Sequence, residues 1–199
     1  MSTIHEQEQI RLMVVDDDPD FLYLIQKTLK KSPEFEVVGC CGDEESAVSM
    51  ACRDQPDVVL MDLNLGNSFS DGIRASREIR IMTDAKVLIL TAIDAPDVIL
   101  KACKEAFASG YIFKGQHELL AATVRELSQG YTAQEYVIAQ SAISCLSEAE
   151  MAVFSNLMGK DVQLQSTRKT IQNQTTSILK KLGLENKTDL LHVFRIFME

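Results

Sequence analysis

Three aspartates, a threonine and a lysine each stand at the end of a short apolar run. Leu12-Met13-Val14-Val15 ends in Asp16-Asp17, and Val58-Val59-Leu60-Met61 ends in Asp62. Val87-Leu88-Ile89-Leu90 ends in Thr91, and Tyr111-Ile112-Phe113 ends in Lys114. Carboxylates gathered at one place repel one another unless a cation neutralises them. Magnesium takes a few carboxylate oxygens, carbonyls and waters, and often a phosphate oxygen. Asp16, Asp17, Asp62 and the backbone carbonyl of Asn64 would make such a shell for Mg2+. Lys114 offers a point charge to an incoming phosphoryl group, and Thr91 offers a hydroxyl. A carboxylate beside a metal, an amine and a hydroxyl is equipped to take a phosphoryl group, here on Asp62.

These residues converge only if the apolar runs are strands. Runs of this length ending in a polar residue read as strands buried on both faces. In an open α/β sheet, sites form at the C-terminal edge. Strands are expected near 11–16, 35–39, 57–62, 86–91 and 111–114. Helical spacing fills the gaps between them. Asp18-Pro19 opens the first helix, with Asp18 as its cap rather than a third ligand. Later helices open near Asp43, near Ser70-Asp71 and at Asp94 with Pro96, and the fifth buries Leu120, Val124 and Leu127. Strands separated by helices pair in parallel with right-handed crossovers. Residues 11–129 therefore predict an α/β domain, a five-stranded doubly wound parallel sheet. Residues 1–10 read as a polar tail without a secretory apolar segment. Residues 130–145 read as a partly helical linker, because Gly130 stops a helix and Thr132 with Glu135 resembles a capping box. Residues 146–199 show no strand pattern. Helices near 147–158, 167–182 and 186–198 predict a small all-α domain.

A hydrophobic fraction of 46% supplies packed cores and excludes general disorder. No apolar run approaches the ~20 residues of a membrane span, so a cytoplasmic protein without a membrane partner is expected. The five cysteines lack zinc or redox spacing, and the three histidines are scattered. Residues 1–145 hold 23 acids and 13 Lys/Arg, a net of -10, whereas residues 146–199 hold 6 acids and 7 Lys/Arg, a net of +1. An acidic half thus precedes one able to approach a polyanion.

Taken together, Asp16-Asp17, Asp62, Thr91 and Lys114 resemble the acidic pair, phosphoacceptor, switch hydroxyl and lysine of a two-component response-regulator receiver domain. The resemblance implies a flavodoxin-like fold, a histidine kinase as partner, Mg2+ as cofactor and Tyr111 as the switch aromatic. It also implies a protein that accepts a phosphoryl group without being an enzyme. The loop 65–72 lacks the proline common in the family, and Gly115 replaces another proline. The second half resembles the LuxR/NarL (FixJ) type of helix-turn-helix output domain. The matching residues are Leu146-Ser147 with Glu150, Lys169-Thr170-Ile171, Ile178 to Gly183, and Asn186-Lys187-Thr188. The resemblance implies that Gln172, Asn173 and Thr176 face DNA bases, and Arg168, Lys169, Lys180 and Lys181 face phosphates. The stretch before Thr170 is shorter than the family pattern by about six residues, close to two helical turns.

Two functions follow. One is a phosphorylation-controlled transcription regulator that pairs as a homodimer and binds promoter DNA. The alternative is a phospho-switched interaction or dimerisation module whose C-terminal domain does not bind DNA. An aspartate-based phosphatase is disfavoured, because its Asp-x-Asp would stand on the first strand. The short segment predicts a continuous helix 167–182, mostly turn over 158–166, and a rearranged C-terminal domain. Its exposed stripe is covered by helices 147–158 and 186–198, or by a neighbour in a swapped dimer. Leu190, Leu191, Val193, Phe194 and Phe197 are the expected partner surface.

Overall fold

The computed structural model describes residues 9–66, 68–164 and 167–198. They divide into two units, Met1–Glu135 and Tyr136–Glu199. In the first, five strands form one parallel sheet in the order β2-β1-β3-β4-β5. They are β1 (Ile10–Val15), β2 (Phe35–Cys41), β3 (Val58–Asp62), β4 (Lys86–Thr91) and β5 (Gly110–Phe113). The helices between and after them are α1 (Pro19–Leu29), α2 (Glu44–Asp54), α3 (Phe69–Met82), α4 (Pro96–Glu105) and α5 (Leu120–Ser128). Most of the expected tail lies outside the described residues, and Ile10 already belongs to β1.

Alternation along the central strands builds two cores. Leu12, Val14, Leu60 and Leu88 pack with Ile25 of α1 and Val124 of α5 on one face. Met13, Val15, Val59 and Met61 pack with Ala51 of α2 and Ile79 of α3 on the other. Side chains directed to both faces explain why these runs are continuously apolar. Asp62 pairs with Leu90 in register, so Asp62 and Thr91 leave the sheet at the same edge.

Helix starts largely follow the local signals. Asp18 accepts from the N–H groups of Asp20 and Phe21, and Asp43 accepts from Ser46. Asp94 does not cap α4. Ala95 is the N-cap and has no side-chain bond, while Pro96 sets the first helical φ and has no N–H to satisfy.

The second unit holds the rest of α6 (Ala133–Ile143), then α7 (Glu148–Leu157), α8 (Arg168–Leu182) and α9 (Lys187–Val193). A complete capping box of Ser147 and Glu150 opens α7. Gly183, at φ 62, closes α8 in the left-handed conformation that glycine adopts without strain. The last helix is shorter than expected. It breaks at Phe194, and a 3-10 turn, Arg195–Phe197, follows. The break lets Phe194 and Phe197 both pack on Phe154, with ring centroids 5.6 and 5.7 Å away. Leu190, Val193, Phe194 and Phe197 are thereby buried within their own unit, not offered to a partner.

Among the described residues no helix lies between Leu157 and Arg168. Gln165 and Ser166 fall outside them. Ile178 and Leu182 of α8 are buried, whereas Ile171 and Leu179 stay half-exposed. Leu157, Ile171 and Thr175 line a groove of about 750 Å³ along this uncovered face.

Glu150 ties α7 to α8. It accepts from Lys181 Nζ at 2.6 Å, Ser177 Oγ at 2.7 Å and the Ser147 N–H at 2.8 Å. These donors hold its carboxyl at about 2, against 4.5 in an unfolded chain. Because the native value is the lower one, the stabilisation is complete above about pH 4.5 and is lost as pH falls towards about 2. A carbon-detected NMR titration of Glu150 should show this low midpoint, and an ordinary glutamate midpoint would contradict the network.

Candidate functional site

The C-terminal edge of the sheet gathers the expected residues. β1 delivers Asp16 and Asp17, β3 delivers Asp62, and the first residue after β5 is Lys114. One carboxylate oxygen from each of Asp16, Asp17 and Asp62 lies within 4.8 Å of the others. Asp16 and Asp62 are buried and Asp17 is exposed. Lys114 Nζ reaches Asp16 Oδ2 at 2.6 Å and Asp62 Oδ2 at 2.8 Å. Asn64 lies exposed two residues beyond Asp62.

The electrostatics follow from crowding. Burial raises the Asp16 carboxyl above the usual carboxylate range, against the pull of Lys114 and the Asp18 N–H. Burial opposes the Lys114 ammonium, but its bonds to Asp16 and Asp62 outweigh that and raise it. Asp16 Oδ2 is buried, and the contact that serves it is the ion pair with Lys114. A buried acceptor in that state suits a cation.

Thr91 is buried at the end of β4, and its Oγ1 accepts from the Ile93 N–H at 3.0 Å. The hydroxyl proton is left as a donor. Tyr111 lies on β5, half-buried, with its ring edge-on to Phe113 at 5.9 Å.

Sequence reasoning missed three supports. The Phe21 ring lies 4.4 Å from Lys114 Nζ and forms a cation–π wall of the site; only its place one turn after Asp18 hints at this. Gly72 lets α3 approach the phosphoacceptor strand, since a Cβ there would meet the Asp62 carbonyl at 2.2 Å. Gln134, from the linker, bonds the backbone of Tyr111.

The residues assigned to DNA lie on α8. Arg168, Lys169, Gln172, Asn173, Thr176 and Lys180 are exposed. Lys181 departs from the set, because its ammonium is engaged by Glu150 and the Cys145 carbonyl.

Comparison with known proteins agrees with this geometry. The response regulator receiver domain family matches residues 12–125. The chain is 28% identical to the transcriptional regulatory protein LiaR of Bacillus subtilis, over 90% of this chain and 93% of that one. A LuxR-family two-component response regulator from Aurantimonas superposes with a TM-score of 0.58 and 32% identity, over 68% of this chain and 96% of that one. RcsB of Salmonella enterica serovar Typhimurium, solved on a promoter with a phosphomimetic, gives a TM-score of 0.55 and 26% identity, over 94% of this chain and 98% of that one. A receiver match over more than half of the chain, and regulators similar along nearly all of it, identify the protein as a member of the response-regulator family, of the LuxR/NarL type.

Proposed function

We propose that this response regulator takes a phosphoryl group from a histidine kinase onto Asp62 and uses it to control promoter binding by the second unit. The observation that carries the reading is the cluster of Asp16, Asp17 and Asp62 closed by Lys114. Asp16, Asp17 and Asp62, with the Asn64 carbonyl, would hold Mg2+, which when bound supplies charge neutralisation for the phosphoryl oxygens. An Asp62 carboxylate oxygen forms a bond to phosphorus. The bond from phosphorus to the donor's leaving group breaks, and its electron pair departs with that group. Lys114 stabilises the phosphoryl charge, Thr91 donates to it, and Tyr111 follows Thr91. Chains then pair through the face of α4 and α5, and Arg168, Lys169, Gln172, Asn173, Thr176 and Lys180 meet DNA. RcsB, solved on promoter DNA, supports this assignment of the second unit. Among the described residues no helix is long and apolar enough to cross a membrane.

Incubation with acetyl phosphate and magnesium tests the acceptor. Intact mass should rise by one phosphoryl group, and a chelator should prevent it. Labelling undiminished by the chelator would overturn the metal assignment.

Lys114→Ala should still fold, because the sheet's two apolar cores are untouched, but at reduced stability, since Asp16 and Asp62 lose the cation they share and Phe21 loses its contact. Losing a charge-assisted bond to the phosphoryl group should weaken phosphorylation-dependent pairing about tenfold, read by light scattering. Pairing equal to the parent's would refute the role of Lys114.

A second reading is favoured by one observation, the absence of a described helix between Leu157 and Arg168. In it the second unit binds protein instead of DNA.

A further inference from the structure

β5 is an edge strand, so the outward N–H and carbonyl of Tyr111 face away from the sheet. Gln134 takes both. Its Oε1 accepts from the Tyr111 N–H at 3.2 Å, and its Nε2 donates to the Tyr111 carbonyl at 3.4 Å. One side-chain amide thus stands in for a neighbouring strand at a single residue. Gly110 makes the room, since a Cβ there would lie 2.6 Å from Gln134 Oε1.

Glu135 fixes that amide in place. Thr132 Oγ1 accepts the Glu135 N–H at 3.0 Å and so caps α6. The buried Glu135 carboxylate meets Arg80 of α3 at 3.3 Å and Lys86 of β4 at 2.8 Å. Lys86 Nζ also lies 3.8 Å from the centroid of the Tyr131 ring. The start of α6 is therefore tied to α3, β4 and β5 at once, by polar contacts that only one register satisfies.

We infer that Gln134 and Glu135 are positioning residues of the phosphorylation switch, coupling the backbone of Tyr111 to the first turn of α6. The inference rests on Tyr111 being the switch aromatic. A shift of the β5 edge at Tyr111 must carry Gln134 with it or break both hydrogen bonds. Gln134 lies in the first turn of α6, which continues to Ile143. Movement of Tyr111 thus becomes movement or fraying of the helix that begins the second unit. This coupling requires the element to have a second state, favoured from the phosphoacceptor end.

The test is hydrogen–deuterium exchange on the full chain, read by mass spectrometry over residues 105–115 and 131–143, with and without acetyl phosphate and magnesium. In the parent, phosphorylation should change exchange in both peptides, by about fivefold or more in 131–143. Gln134→Ala should be labelled on Asp62 at the parent's rate and still respond in 105–115. Its response in 131–143 should fall to less than half. Gly110→Ala, which displaces the amide without altering it, should reproduce that loss. A merely structural role would raise exchange equally in both states and leave their ratio unchanged. If the parent responds in both peptides and Gln134→Ala responds equally, the inference is overturned and the switch reading stands. If the labelled parent changes in neither peptide, the switch reading fails and takes the inference with it.

Discussion

Asp62→Asn should abolish phosphorylation of the chain, with no labelled species left in an intact-mass spectrum after acetyl phosphate and magnesium. An amide of the same shape cannot supply the anionic oxygen that bonds to phosphorus. The substitution also removes one of the three carboxylates crowded within 4.8 Å. Repulsion falls, Lys114 keeps its ion pair with Asp16, and the fold should persist, with unfolding unchanged or slightly later. Asp16 is buried and pulled towards Lys114, and Asp17 accepts from the Gly66 N–H at 3.0 Å, so neither is an equivalent acceptor. Undiminished labelling in Asp62→Asn would move the acceptor elsewhere.

The largest effect on stability should come from Glu135→Ala. The Glu135 side chain is 3% exposed, and its partners Arg80 and Lys86 are 6% and 12% exposed. Removing Glu135 takes from Arg80 and Lys86 the buried carboxylate they share, and breaking a buried ionic group in this way typically costs about 3–5 kcal/mol. Arg80 also donates to the Phe107 and Ala85 carbonyls, at 3.0 and 3.1 Å. Its loss of orientation would loosen the packing of α3 against the strand ends. For a unit of this size the melting temperature should drop by about 10 °C or more. Calorimetry of the full chain reads this directly. A melting temperature within about 2 °C of the parent's would show that the buried group contributes little to the fold.

The sheet was legible in the sequence because its central strands are buried on both faces, which leaves unbroken apolar runs ending in polar residues. The acceptor cluster was legible for the same reason: strand ends in a parallel sheet share one edge, so Asp16, Asp17, Asp62 and Lys114 had to meet. What stayed hidden depends on contacts distant in sequence. Gln134 looks like any polar linker residue until β5 proves to be an edge strand. Glu135 read as half of a capping box, and its carboxylate proved to serve Arg80 and Lys86. The end of α9 was misplaced because Phe194 and Phe197 fit helical spacing, whereas packing both on Phe154 requires a break. Lys181 looked like a phosphate contact, since nothing local pairs it with Glu150.

In the proposed function, phosphorylation of this chain controls its binding to promoter DNA. The most direct measurement is a mobility-shift selection from a promoter library at about 0.15 M salt, with and without acetyl phosphate and magnesium. Specific fragments should be retained by the phosphorylated chain, and retention should fall to background for unphosphorylated protein and for Asp62→Asn. A fully phosphorylated chain that retains no fragment above the Asp62→Asn background would contradict the claim and assign the second unit to protein partners instead.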